Sequence, residues 1–205
     1  MTELARHVTT PLASDEVRVW TIDTGERERV RAIARVLLAP QLGLEPARVE
    51  IERKAAGKPY VANDVALHYS LSHSSAHAMI AITRVAPVGV DIERVRAVPN
   101  AERILARFFP PHQIDEILSD DRSELRFVQA WTEAEARVKA RGEGMWHVAT
   151  PDERAVLRPL AAPEGYAASL AVLAAEWRIT QYALAVDALE AAMRDALHHV
   201  VHPGA

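Results

Sequence analysis

The segment at residues 123–141 constrains the fold most, because its apolar side chains recur at the spacing of an α-helix. At about 100° per residue, Phe127, Trp131, Ala134 and Val138 form one stripe along it. Residues 120–123 supply a polar N-terminal cap, and Gly142 follows the last helical residue. The sequence therefore predicts a long helix with one buried side.

Shorter segments with strand or helix patterns surround this helix. Apolar and polar side chains alternate at 17–22 and 88–93. Further strands are expected at 49–52, within 67–83 with a break around 72–75, and at 166–174 and 177–186 as a pair. Helical spacing occurs at 26–42, 99–109 and 112–118, and 189–201 is typical of a helix or a frayed tail. This order indicates an α+β fold with two similar α/β halves, residues 1–95 and 96–205.

Composition excludes several classes of protein. The chain of 205 residues contains no cysteine, which excludes disulfides, thiolate nucleophiles and cysteine-bound metal centres. A formal net charge of -4 argues against nonspecific binding to nucleic acid. No stretch approaches the ~18 apolar residues that a membrane span needs. We therefore expect a cytoplasmic protein that binds neither nucleic acid nor membranes.

Three carboxylates form the first candidate site. Side chains alternate along a strand, so Asp91 and Glu93 share one face with Cα atoms ~7 Å apart. Glu135 lies at the buried edge of the helical stripe, where an ionised group needs a cationic partner. Two interpretations stay open: an ion pair from Glu135 to Lys139, or a metal ion shared with Asp91 and Glu93. Oxygen ligands of this kind favour Mg²⁺. An isolated Asp-x-Glu, however, most often lies on the solvent-exposed face of an edge strand.

The segment around His73 offers a second candidate site. Ser72 and His73 are adjacent in a strand, so they point to opposite faces and do not form a nucleophile with its base. His73 either contacts a phosphate or is satisfied by hydrogen bonds in a turn. Lys58, within Gly-Lys-Pro, either offers a cation on a rigid turn or belongs to an ordinary loop. The tail histidines at 198, 199 and 202 have no nearby carboxylate in the sequence, so we do not expect them to bind metal.

Six motifs, taken in order, resemble those of the Sfp-type 4'-phosphopantetheinyl transferases. They are Gly-Lys-Pro at 57–59, Tyr-Ser-Leu-Ser-His-Ser at 69–74, Gly-Val-Asp-Ile-Glu at 89–93, Phe-Phe at 108–109, Trp-Thr-Glu-Ala-Glu-Ala-Arg-Val-Lys at 131–139 and Gly-Glu-Gly at 142–144. The resemblance implies an α+β fold with pseudo-twofold symmetry in one chain, and a monomer. It also implies Mg²⁺-dependent transfer of the phosphopantetheine arm of coenzyme A to a serine of an apo acyl or peptidyl carrier protein. The leaving group would be 3',5'-adenosine bisphosphate.

The resemblance also assigns roles to individual residues. The matching metal ligands are Asp91, Glu93 and Glu135, and the matching contacts to coenzyme A are Lys58, Ser72, His73 and Lys139. Asp91 and Glu135 would be the catalytic residues, with Glu135 also helping to remove the proton of the carrier serine.

Departures from the motifs leave a second interpretation open. Ala134 stands in place of the first lysine of the long-helix motif, Gln113 stands where many members have glutamate, and Ser70 replaces an asparagine. The basic segment before the first helix is short, and arginines at 27, 29, 31 and 35 are candidates to replace it. The alternative to an active transferase is a weakened member of the family that binds carrier proteins or coenzyme A. A phosphoester hydrolase would need a water-activating base that the sequence does not offer.

Overall fold

Helices and strands are interleaved along the chain in the computed structural model, which describes residues 8–143, 154–187 and 189. The helices are Arg27–Leu42 (α1), Ala101–Phe108 (α2), Pro111–Leu118 (α3) and Ser123–Arg141 (α4), with a short 3-10 helix at Pro46–Arg48. The strands are Glu16–Ile22 (β1), Ile51–Arg53 (β2), Pro59–Val61 (β3), His68–Ser74 (β4), His77–Thr83 (β5), Val88–Arg94 (β6), Val156–Pro159 (β7), Tyr166–Val172 (β8) and Arg178–Leu184 (β9). The fold is mixed α+β, and the long helix has the predicted bounds.

The strands form two main sheets. The first sheet has the order β4-β5-β1-β9, with β9 parallel to β1 and the other neighbours antiparallel. The second sheet has the order β6-β8-β7 and is antiparallel, and β2 pairs with β3 alone.

The predicted pairing of the segments 166–174 and 177–186 is wrong. They form β8 and β9, but β8 pairs with β6 and β7, whereas β9 pairs with β1. Apolar residues lie on both faces of β9, and they pack into two different cores. Tyr182 and Leu184 contact the core beneath α1, while Ile179 contacts the core between the sheets. Beside β1, at the edge of the first sheet, β9 can pack the apolar side chains of both its faces against these two cores.

The break expected at residues 72–75 is also shorter than predicted. Strand β4 continues through Ser74, which pairs with His77 of β5, and the turn between them lies at Ser75 and Ala76. Ser75 has a φ of 50°, the left-handed conformation that a tight turn requires. The Ser-His-Ser segment is therefore strand, with its serines and its histidine on opposite faces.

Two hydrophobic cores hold the layers together. Helix α1 covers one face of the first sheet, where Leu37 packs with Trp20 and Ile80. The other face meets the second sheet, where Val19 and Val90 lie in one cluster. This arrangement uses both apolar faces of the first sheet, as a layered fold requires.

Helix α4 lies directly on the remaining face of the second sheet. Small residues make the contact: Ala136 and Ala140 pack against Ala171 of β8. At Gly89 of β6 a Cβ atom would come within 2.0 Å of the carbonyl oxygen of Ala136 and 2.4 Å of the nitrogen of Ala140. Only glycine permits this approach, and it brings the carboxylates of β6 beside the polar edge of α4.

The two sheets do not divide along the sequence at residue 95. Strand β6 precedes that point and belongs to the second sheet, whereas β9 returns to the first. Domain bounds at 1–95 and 96–205 stay a prediction. Within the described part of the chain, no helix has the length and apolar character needed to cross a membrane. The predicted tail beyond residue 189, with its three histidines, lies outside the described residues.

Candidate active site

Asp91 lies at the centre of the site. As predicted, Val88, Val90 and Ile92 enter the core between the sheets, and Asp91 points to the opposite face of β6. Only 2% of this residue is exposed. Its Oδ1 accepts hydrogen bonds from the hydroxyl of Ser72 at 2.6 Å and from Nζ of Lys139 at 2.7 Å. Its Oδ2 is buried and receives no hydrogen bond from the described residues.

Lys139 connects helix α4 to this carboxylate. Its Nζ lies 3.8 Å from Oε2 of Glu135, one helical turn earlier, and 3.0 Å from Oγ of Ser72. The cationic partner expected for Glu135 is therefore present as the i, i+4 pair. The same ammonium group also reaches Asp91, so it joins the carboxylates of two elements rather than serving one surface ion pair.

Electrostatic crowding marks the two glutamates beside Asp91. Burial raises the pKa of Glu135, and the charge of Asp91 raises it further, against the opposing effect of Lys139. Burial also raises the pKa of Glu93, and the charge of Asp91 adds to it, although a hydrogen bond from Ser74 lowers it. Both glutamates therefore resist ionisation beside Asp91, which a bound cation would relieve.

The donor set fits a divalent cation that prefers oxygen. Within the described residues, no three histidine or carboxylate side chains already stand close enough together to hold a metal ion. However, Asp91 has a buried oxygen that receives no hydrogen bond from the described residues, and Glu93 lies near enough for its charge to raise the pKa of Glu135. Mg²⁺ characteristically takes a few carboxylate oxygens and completes its shell with water and phosphate.

One face of β4 carries three serines that reach across to β6. The hydroxyl of Ser70 accepts a hydrogen bond from the nitrogen of Val90 at 3.1 Å, and Ser72 donates to Asp91. Ser74 donates to Oε2 of Glu93 at 2.7 Å. No role was predicted for Ser70 or Ser74 from the sequence. Their spacing of two residues from Ser72 was the available signal, because it puts all three on one face of a strand.

A cationic cleft opens beside these residues. It has a volume of about 660 Å³ and lies between α1, the Gly-Lys-Pro turn, β4 and the end of α4. Among the described residues that line it, the cationic side chains are Arg27, Arg31, Arg35, Arg53, Lys58 and Lys139, against one acid, Glu143. The three arginines of α1 are four residues apart, so they share one face of the helix. The cleft is therefore suited to a polyanionic ligand.

Lys58 contributes to this cleft while tying two elements together. Its Nζ donates to the carbonyl oxygens of Val88 and Ala140, both at 3.1 Å. Burial lowers the pKa of Lys58 to about 8, with a further contribution from the charge of Lys54. An ammonium group has three N–H donors, so these two bonds leave one for a ligand.

His73 lines the cleft on the face of β4 opposite to the serines. Burial lowers its pKa, and the nearby charges of Arg27 and Lys139 lower it further. A neutral imidazole with cationic neighbours can donate one hydrogen bond to an anion. Ser72 donates its proton to Asp91 and not to His73.

Packing explains the alanine at position 134. Ala134 is 3% exposed and packs with Val138 against Phe108 and Phe109. A lysine here would have to bring its chain and charge into this apolar contact, which is unfavourable. The small side chain of Ala134 leaves room for Phe108, the last residue of α2, and for Phe109, which follows it.

Comparison with known proteins finds similar sequences in one family. A family model described as the 4'-phosphopantetheinyl transferase superfamily matches residues 87–187, which include β6, α4 and the strands of the second sheet. The chain is 33% identical over 120 residues to the 4'-phosphopantetheinyl transferase HetI of a Nostoc species, covering 56% of this chain and 51% of that protein. It is 26% identical over 115 residues to the 4'-phosphopantetheinyl transferase Sfp of Bacillus subtilis, covering 55% of this chain and 50% of that protein.

A third relative is the 4'-phosphopantetheinyl transferase AcpT of Escherichia coli, 33% identical over 129 residues, or 62% of this chain and 64% of that protein. Over residues 87–187 the chain is therefore similar to the 4'-phosphopantetheinyl transferase superfamily. It spans about half the length of HetI and of Sfp.

Proposed function

We propose that this protein transfers the 4'-phosphopantetheine arm of coenzyme A to a serine hydroxyl of an apo acyl or peptidyl carrier protein. The observation that carries the proposal is the buried Asp91, which has one oxygen without a hydrogen-bond partner among the described residues and is bonded to Lys139, a lining residue of the cationic cleft. The names of the similar proteins, which are all 4'-phosphopantetheinyl transferases, support the same reaction.

Coenzyme A suits the cleft because its phosphates would meet cations on several sides. Arg27 and Arg31 of α1 would bind phosphate oxygens through charge-assisted hydrogen bonds. His73 and the remaining N–H of Lys58 would add donors from β4 and from the Gly-Lys-Pro turn. The ligand would thereby lie along the cleft, with one end near Lys139.

Lys139 would mark the place of the reaction. It lines the cleft and is bonded to Asp91, so a pyrophosphate beside it would lie next to the carboxylates. The carrier serine Oγ forms a bond to the phosphorus that bears the pantetheine arm. The bond from that phosphorus to the bridging oxygen breaks, and 3',5'-adenosine bisphosphate leaves with the electron pair.

Asp91, Glu93 and Glu135 would hold Mg²⁺ at this point. When bound, the ion would neutralise negative charge on the pyrophosphate. Ser72 would act at the same place, since its hydroxyl lies between Asp91 and Lys139.

The carrier serine must lose a proton as it attacks. Glu135 is the proposed acceptor, directly or through a water molecule, because its carboxylate lies at the site where Lys139 joins it to Asp91. The proton thus passes from the serine hydroxyl to a carboxylate oxygen of Glu135, and the departing nucleotide carries the negative charge on its former bridging oxygen.

Finer structural features belong to the same proposal. We expect the two halves, residues 1–95 and 96–205, to be related by pseudo-twofold symmetry. We also expect a monomer that acts in the cytoplasm and binds neither nucleic acid nor membranes. One chain contributes all the carboxylates and cleft cations named above, which is consistent with a monomer.

The direct test incubates the protein with coenzyme A, Mg²⁺ and a panel of apo carrier proteins, and measures the intact mass of each carrier. We expect a phosphopantetheine adduct on at least one carrier, and none on a carrier whose acceptor serine is changed to alanine. Binding of coenzyme A without any adduct across the panel would instead favour the weakened, binding-only member of the family.

A further inference from the structure

Ser74 makes two hydrogen bonds that together commit its hydroxyl group. It donates to Oε2 of Glu93 at 2.7 Å and accepts from the backbone nitrogen of Arg94 at 3.1 Å. A serine hydroxyl has one proton, so the proton of Ser74 belongs to the carboxylate of Glu93 in this arrangement. The hydroxyl is therefore placed to set the orientation of that carboxylate.

Backbone pairing does not provide this orientation. Strands β4 and β6 belong to different sheets, and hydroxyl groups make hydrogen bonds between them. Glutamate has several rotatable bonds, and fixing them costs conformational entropy that a favourable contact must offset. Ser74 supplies such a contact from a neighbouring strand.

The position of Ser74 is itself fixed by the turn that follows it. The carbonyl oxygen of Ser75 lies so close to Gly25 that a Cβ atom there would come within 1.7 Å of it. On the other side, the nitrogen of Ala76 donates to the hydroxyl of Tyr166 at 3.3 Å. The end of β4 is thus anchored both to the start of α1 and to β8.

We propose that Ser74 is a positioning residue that holds Glu93 in the orientation needed to bind a divalent cation. This inference rests on the proposed function, because that function assigns Glu93 to the metal. Residues that orient metal ligands are general features of metal sites, and their loss typically costs 10- to 100-fold in metal affinity or activity. Ser74 acts through Glu93 and contacts neither substrate nor metal itself.

Ser70 provides a matched control on the same face of the same strand. Its hydroxyl accepts a hydrogen bond from the nitrogen of Val90, much as Ser74 accepts one from Arg94, but among the described residues it bonds to no carboxylate. Ser70→Ala and Ser74→Ala should therefore cost similar amounts of stability. They should differ only in their effect on the metal site.

The experiment titrates the full-length protein with Mn²⁺ and follows the signal of free Mn²⁺ by electron paramagnetic resonance. We expect Ser74→Ala to weaken Mn²⁺ binding by about 10- to 100-fold. Ser74→Thr, which keeps the hydroxyl, and Ser70→Ala should both stay within about threefold of the unchanged protein. In a background of Glu93→Ala, Ser74→Ala should have no further effect, because the acceptor of its hydrogen bond is gone.

Several results would overturn the inference. Equal weakening by Ser70→Ala and Ser74→Ala would assign Ser74 a structural role alone, and unchanged binding in Ser74→Ala would remove its role altogether. If Ser74→Ala does not fold, Ser74→Cys, which is a weak donor of similar size, takes its place in the comparison.

The same titration separates this inference from the proposed function. If the unchanged protein neither binds Mn²⁺ nor modifies any carrier, the proposed function fails, and the role of Ser74 fails with it. If the unchanged protein does both and Ser74→Ala binds Mn²⁺ as tightly, only the role of Ser74 is refuted.

Discussion

Replacing Gly89 with alanine tests the contact on which the whole site depends. The added Cβ would lie 2.0 Å from the carbonyl oxygen of Ala136 and 2.4 Å from the nitrogen of Ala140, both backbone atoms of α4. An ordinary contact begins at 3.4 Å, so the helix would have to move away from β6 by about 1.4 Å. That movement would separate Lys139 from Asp91, which are bonded at 2.7 Å.

The expected cost follows from packing and from the geometry of catalysis. Overfilling a tight contact typically costs about 1–3 kcal/mol, and about 2 kcal/mol would lower the Tm by roughly 4–8 °C in a chain of this size. A displacement of about 1 Å can reduce a catalytic rate by about 100-fold. Thermal unfolding followed by circular dichroism, together with the rate of carrier modification at saturating coenzyme A, measures both effects.

Gly43→Ala is the control for this substitution. Gly43 ends α1 with a φ of 65°, and a Cβ atom added there would meet nothing within 4 Å in the described part of the chain. Alanine at this position therefore introduces backbone strain of about 1–2 kcal/mol without a clash. We expect it to lower the Tm while leaving the rate unchanged. If Gly89→Ala instead unfolds within about 1 °C of the unchanged protein and transfers at the same rate, the close packing of α4 on β6 is refuted.

The other predictions concern single side chains. Asp91→Asn should keep the fold but lower the transfer rate by more than about 100-fold, or at least ~3 kcal/mol of barrier, and near-normal turnover would remove Asp91 from the reaction. His73→Ala should weaken binding of coenzyme A by about 10- to 100-fold in calorimetry, with carrier affinity unchanged. Ala134→Lys should lower the Tm, because position 134 is 3% exposed, and an unchanged Tm would contradict that burial. Burial raises the pKa of Glu16, but hydrogen bonds from Arg18 and from the backbone of Ala13 outweigh it and bring the pKa down to about 2 from 4.5. The stability it supplies is therefore complete above pH 4.5 and lost as pH falls towards 2, and Glu16→Gln should remove that part of the acid dependence in chemical unfolding.

Local patterns predicted the elements that carry their own periodicity. The apolar stripe and the flanking glycine located α4, and the alternation at 88–93 placed Asp91 on the face away from the core. These predictions succeed because burial of one side of a helix or strand is written into the spacing of its own residues. The polar cap expected at 120–123 is wrong, since Arg122 holds the N-cap position without a side-chain hydrogen bond.

Pairing between distant strands was harder to predict, because no local pattern determines which strands become neighbours. Residues 177–186 were expected to pair with the preceding strand, yet β9 pairs with β1 and extends the first sheet in parallel. A short connection makes a hairpin the simplest expectation, but the packing of both faces of β9 decides otherwise.

The candidate site shows the same division between local and distant information. The ion pair of Glu135 with Lys139 follows from helical spacing, but its extension to Asp91 depends on the approach at Gly89. The role of Ser74 similarly requires knowing that β4 runs beside β6. Such contacts join residues that periodicity alone cannot relate.

The most direct test of the central claim counts both products of one reaction. Coenzyme A labelled in its pantetheine arm is incubated with the protein, Mg²⁺ and an apo carrier that accepts the arm, and 3',5'-adenosine bisphosphate is quantified beside the labelled carrier. The account predicts one nucleotide released for each arm attached, no labelling of a carrier whose acceptor serine is alanine, and formation of both products more than about 100-fold slower with Asp91→Asn. Nucleotide release without carrier labelling, or labelling at a near-normal rate with Asp91→Asn, would contradict it.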